Sequence, residues 1–152
     1  MYYAFHTSCV GWKATGTSDG PDTLQPQKEY FERFSFIDDE DRRANHAMVA
    51  FMDDVVGNIT RALRDKGMYE HTLVIWASDN GGAIHLGGGA NSWPLRGGYF
   101  SNWEGGVRTA ALVSGGFLPP ARRGKKLVDE MVHIAGTYVY ESNAARANRD
   151  RT

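Results

Sequence analysis

Apolar residues recur along this chain in two rhythms. Ala44, Met48, Phe51, Met52, Val55, Ile59, Ala62 and Leu63 return every three or four positions, the spacing that lines one face of an α-helix. Asp38, Asp39, Glu40 and Asp41 stand just before that stripe. Carboxylates there complement the positive end of a helix dipole and mark its start. Gly57 interrupts the stripe, at a cost of about 1 kcal/mol relative to Ala. Gly67 follows it, where a left-handed cap is expected. Thr72 to Ala77 has the other rhythm: β-branched, apolar, short and bounded by polar residues, it predicts a buried strand. Val107 to Val113 is the next strand candidate, and Tyr2 to Phe5 reads as a strand at the very start. Gln27 to Phe34 predicts a short helix, with Pro26 tolerated in its first turn. Leu127 to Tyr140 predicts a last one.

Between these elements lie polar stretches. Gly11 to Asp22 reads as a loop, part of an insertion near 10–23. Pro119-Pro120 and the basic residues Arg122 to Lys126 predict a solvated surface turn. Residues 144–152 form a polar tail expected to fray. Strands alternating with helices indicate an α/β fold: a mostly parallel sheet flanked by helices.

Composition narrows the classes. The 152 residues suffice for one domain, and 41% hydrophobic with 23% charged residues is ordinary for a soluble globular protein. A net charge of -1 gives no electrostatic case for nucleic acid or an anionic membrane. Leu73-Val74-Ile75-Trp76-Ala77 is far too short to span a bilayer. No basic segment followed by an apolar run opens the sequence, so no secretory signal is read there. Cys9 is the one cysteine and cannot form an internal disulfide. The opening strand has no polar lead-in, which suggests missing upstream sequence.

Open α/β sheets carry their sites beyond the carboxyl ends of strands. Asp79 and Asn80 occupy that position after the Thr72–Ala77 strand. A carboxylate and an amide oxygen side by side are hard ligands, suited to calcium or magnesium. Gly81-Gly82 then lets the backbone turn sharply. Asp-Asn-Gly is also a common turn sequence, so the pair alone leaves both readings open. His85, in the glycine-rich loop, is expected to face solvent. Asn58-Ile59-Thr60 fits the glycosylation acceptor pattern.

The wider stretch carries more. Asp79-Asn80-Gly81-Gly82, Asn91-Ser92-Trp93-Pro94-Leu95-Arg96-Gly97-Gly98 and Trp103-Glu104-Gly105-Gly106-Val107-Arg108 together resemble the type I sulfatases, and most of all the arylsulfatase B group. Met52 to Thr60 and Val132-His133-Ile134-Ala135 are similar to family segments as well. The resemblance covers the latter part of a catalytic domain, so the fold it implies is part of an alkaline-phosphatase/sulfatase-like sheet. It implies a hydrolase of sulfate esters acting on sulfated carbohydrate or an aryl sulfate, with calcium as cofactor and a lysosomal or secreted location. In the family a formylglycine, made from cysteine, is the nucleophile. The resemblance gives Asp79 and Asn80 the role of metal ligands.

Several positions depart from the family pattern. Cys9 is followed by Val10-Gly11-Trp12-Lys13, which is not the modification motif. The family lysine that contacts sulfate is Tyr99 here. His6 is the nearest histidine to the family's catalytic one. Gly136 stands where an acidic residue usually follows His-Ile-Ala. The resemblance therefore implies a partial sulfatase domain over 1–152 with no intact catalytic set. Two rivals stay open: a non-catalytic module that binds sulfated glycans, and a phosphoesterase of the same superfamily.

Overall fold

Helix formation dominates the described part of the chain, which in this computed structural model comprises residues 2–5, 24–85, 88–125 and 132. These residues fall into two compact units, Met1–Thr60 with Ala77–Ala111 and Arg61–Trp76 with Leu112–Thr152.

In the first unit α1 spans Lys28–Arg33, behind an extended Gln27. Helix α2 spans Glu40–Asp65. Its start is capped as the acidic run predicts. The Asp39 carboxylate accepts the Arg42 N–H at 2.8 Å, and the Asp39 carbonyl accepts that of Arg43 at 2.8 Å. One orphan donor of the first turn is thereby satisfied by a side chain. The two helices pack through aromatic and cationic contacts. The Tyr30 ring meets Phe51 edge-on at 5.4 Å, and its hydroxyl donates to Asp54 at 2.8 Å. Arg43 lies 4.0 Å over the Phe31 ring and donates to the Phe31 carbonyl at 2.8 Å. Tyr30, Ala44, Ala47 and Met48 are the buried hydrophobic residues among those described. Ala47, outside the apolar stripe read from the sequence, is the most enclosed at 0% exposure. A small residue sits there because the chain packs closely against that turn of the helix.

In the second unit α2 ends in a Schellman arrangement. Met68 N–H reaches back to the Leu63 carbonyl at 2.8 Å and Gly67 N–H to that of Arg64 at 2.9 Å. Gly67 supplies the required φ of 66°. A 3-10 turn, Tyr69–His71, follows. Arg64 covers the Tyr69 ring at 4.4 Å. Hydrogen bonding with Ser114 first, then with Arg64, holds the Tyr69 hydroxyl below its ordinary range. The Thr72 hydroxyl donates to the Met68 carbonyl, so Thr72 closes the turn and the strand begins later than predicted. Arg123 donates to the Leu118 and Gly116 carbonyls, which pins the expected basic surface turn.

Strand β1, Val74–Ala77, pairs with β2, Ala111–Ser114, in a two-stranded sheet. The two segments read as strands, Thr72 to Ala77 and Val107 to Val113, thus supply the two paired strands. Their direction is a correction. Ser78 N–H bonds the Ala110 carbonyl and Gly81 N–H that of Gly106, so numbering rises on one side as it falls on the other. The pair is antiparallel, where a mostly parallel sheet was expected. The segment between the strands folds back on itself as a continued ladder instead of crossing over through a long helix. Val107 is not in a strand either: it ends α3, Glu104–Val107. Its N–H bonds the Trp103 carbonyl, a helical pattern. Tyr2 to Phe5 form no strand, because neither strand of the sheet pairs with them. Cys9, the 10–23 insertion, the helix expected over Leu127 to Tyr140 and the 144–152 tail lie outside the described residues.

Two tests follow from the helices. A Cβ built on Gly57 meets nothing within 4 Å, so Gly57→Ala should stabilise the protein by about 1 kcal/mol in chemical denaturation. The hydrogen bond to Asp54 is the main reason that Tyr30 titrates above its ordinary value of 10.0. The folded state thus favours the protonated phenol, which stabilises it below pH 10.0 and ceases to as pH rises through the raised value. Tyr30→Phe should flatten the alkaline end of a melting-temperature profile; an unchanged slope would contradict the bond.

Candidate functional site

Strand β1 delivers its next residues to a sharp bend, and local hydrogen bonds set their side chains. The Asn80 N–H donates to Asp79 Oδ1 at 2.8 Å. Asn80 Nδ2 donates to the Gly81 carbonyl at 3.0 Å, and the Ser78 hydroxyl donates to the Asn80 carbonyl at 2.9 Å. Each side chain is thus held through one atom. Asp79 Oδ2 and Asn80 Oδ1 are left as acceptors without a donor among the described residues. Asp79 is exposed and Asn80 half-buried. The carboxyl end of the strand thus carries two hard oxygens on consecutive residues, donor types suited to a divalent cation.

Glycines frame this turn. A Cβ on Gly81 would collide with the Gly105 carbonyl, and one on Gly105 with the Gly97 carbonyl. Glycine at both positions permits this backbone-to-backbone approach. The loop is tied from its far side as well: Gly105 N–H bonds the Arg96 carbonyl at 2.8 Å, and Tyr99 N–H bonds the Gly82 carbonyl at 2.9 Å. Arg96 stacks on the Trp103 ring at 3.6 Å, which commits its guanidinium to the loop. The Ser101 hydroxyl bridges Gly98, donating to its carbonyl at 2.7 Å and accepting its N–H at 3.1 Å.

The sequence-derived residues are therefore placed unequally. Asp79 and Asn80 are consecutive residues of one bend, and Tyr99 is joined through its backbone to the same glycine turn. Asn58 lies exposed on α2, and His85 is exposed. His6 lies outside the described residues. Among the described residues no group of three or more His, Cys, Asp or Glu converges as a metal cluster. Ser78 was missed by sequence reasoning; a serine before Asp-Asn carries no signal apart from its place at the strand end. Phe100 was missed too. It holds a positive φ of 68°, a conformation that favours Gly or Asn and that nothing in a phenylalanine announces.

A family model described as Sulfatase matches residues 6–137. Arylsulfatase J of Mus musculus is 36% identical over 115 residues, covering 76% of this chain and 18% of that protein. Arylsulfatase A of Homo sapiens is 42% identical over 63 residues, 41% of this chain and 12% of its own length. The solved structure of Ps i-CgsB in complex with k-i-k-neocarrahexaose is similar at TM-score 0.56 and 36% identity, over 66% of this chain and 21% of that one. The chain spans about a fifth, or less, of the length of these proteins.

The glycine contact makes a sharp prediction. Gly81→Ala should cost about 1–3 kcal/mol in denaturation, because the Gly105 carbonyl it would strike is backbone and cannot swing aside. Stability equal to that of the parent protein would show that the loops do not meet there.

Proposed function

This chain belongs to the sulfatase family, and on that premise we propose that it contributes half of a calcium site to a sulfuric ester hydrolase acting on sulfated carbohydrate. One observation carries the reading. Asp79 Oδ2 and Asn80 Oδ1 are the oxygens left over when the turn's own hydrogen bonds are made. The donor set fits the ion in kind but not in number. Calcium takes about six to eight oxygen ligands, and these two residues offer two, with a single formal charge between them. Bound there, calcium would draw charge from the sulfate oxygens as a Lewis acid.

The chain's own residues position that site. Ser78 and the glycine contacts hold the turn, and Asp79 supplies its anionic oxygen. Covalent catalysis needs a nucleophile, and Cys9 stands outside any modification motif. We therefore read the chain by itself as inactive, with the nucleophile and the remaining carboxylates supplied by other sulfatase sequence. Tyr99 favours a second reading, a non-catalytic module that binds sulfated glycan, since a phenol replaces the permanent cation of the family pattern. The likeness to a complex with k-i-k-neocarrahexaose and to arylsulfatases supports a sulfated substrate in either case. A lysosomal or secreted location follows from the family resemblance, and exposed Asn58 would then be a glycan acceptor. Among the described residues no helix is long and apolar enough to cross a membrane.

Calorimetric titration tests the metal. The chain should bind calcium only weakly, with a dissociation constant of roughly 0.1–1 mM, and Asp79→Ala should abolish the heat. No turnover of an aryl sulfate is expected from the chain alone. Joined to the upstream half of a related arylsulfatase and carrying Tyr99→Lys, it should gain activity that Asp79→Ala removes. Turnover by the bare chain would overturn the reading, as would an active chimera indifferent to Asp79→Ala.

A further inference from the structure

The loop that closes on the metal turn ends in an unusual corner. Residues 98–101 form a tight turn, with the Ser101 N–H on the Gly98 carbonyl at 3.0 Å and the Ser101 hydroxyl bonded to both polar atoms of Gly98. Tyr99 and Phe100 are its two corner residues. The second corner needs a positive φ, and such positions ordinarily carry Gly or Asn. Phe100 adopts φ 68° with a bulky side chain, at a steric cost. Burial does not repay that cost: Phe100 is 81% exposed. Among the described residues it makes one ring contact, with Tyr99 at 4.0 Å and 33° between planes. The turn cannot move independently of the site, because Tyr99 N–H bonds the Gly82 carbonyl, two residues beyond Asn80.

A strained aromatic that packs little and projects beside a binding turn has one use that explains all three features. Resting on the sulfated-carbohydrate reading above, we infer that Tyr99 and Phe100 form a stacking platform on which a sugar ring of the sulfated saccharide lies while its sulfate faces the calcium that Asp79 and Asn80 would hold. The apolar C–H face of a pyranose matches an exposed aromatic ring, and the two adjoining rings widen the surface. A neutral platform in place of a cation makes the sugar, and not the sulfate, the group recognised at this corner. Phe100 is then a specificity-determining residue.

Saturation-transfer NMR on the whole chain with calcium present tests this, with a sulfated hexasaccharide and its desulfated counterpart as probes. Phe100→Gly suits the turn and removes the ring; Phe100→Trp keeps an aromatic. Phe100→Gly should raise the melting temperature, by relief of strain, while weakening binding of both saccharides about fivefold to tenfold. Phe100→Trp should restore binding. Equal saccharide binding by parent, Phe100→Gly and Phe100→Trp would overturn the platform and leave the sulfated-carbohydrate reading standing. Saccharide binding by none of the three would overturn the platform too; calcium heats that still depend on Asp79 would then show the metal turn intact. A lower melting temperature for Phe100→Gly would remove the strain on which the inference rests.

Discussion

Close backbone approach between two glycine segments is the constraint from which the site follows. Gly81 lies against the Gly105 carbonyl, and Gly105 against that of Gly97, at separations that exclude any side chain. Because the backbones touch, the bend after β1 cannot drift relative to the loop that ends in α3. Asp79 and Asn80 inherit a fixed position from this contact, and Tyr99 is drawn to the same turn by its bond to Gly82. The hydrogen bonds within the bend only decide which atoms of the two side chains remain available.

The rest of the described chain is thinly packed. Its buried hydrophobic residues sit where α1 meets α2, while Leu112 and Val113 in β2 remain 52% and 42% exposed. A two-stranded sheet is at best marginally stable in water without a covered apolar face. A surface of this kind suits a segment that spans about a fifth of the length of its relatives. Among the described residues the helices therefore carry most of the local packing, and the sheet carries little of it.

What could be read in advance was what depends on neighbours along the chain. The stripe of α2, its acidic start and its Gly67 terminator are local chemistry, and all three were legible. So was the turn after β1, because a strand running into Asp-Asn-Gly-Gly has few other shapes. The direction of the sheet was not legible, since it depends on whether the intervening segment crosses over or folds back. Val107 was misassigned for a related reason: Val-Arg-Thr-Ala-Ala-Leu-Val looks extended, yet bonds from Trp103 and Glu104 draw its first residue into a helix. The left-handed Phe100 was invisible because the conformation is imposed by Ser101 and Gly98 closing the turn around it.

The ladder linking Gly81 to Gly106 also bears on the order in which the molecule assembles. Helix α2 closes its bonds over four or five residues at each end, so it can form early and quickly. The bend after β1 is shaped by pairings between residues far apart in sequence, which must first overcome the entropy of closing the whole intervening loop. Structure of that kind is gained late, and local opening releases it early. The turn that would hold the ion therefore takes shape after the helices, and an ion that binds only the closed turn would act as a latch on folding as well as on chemistry.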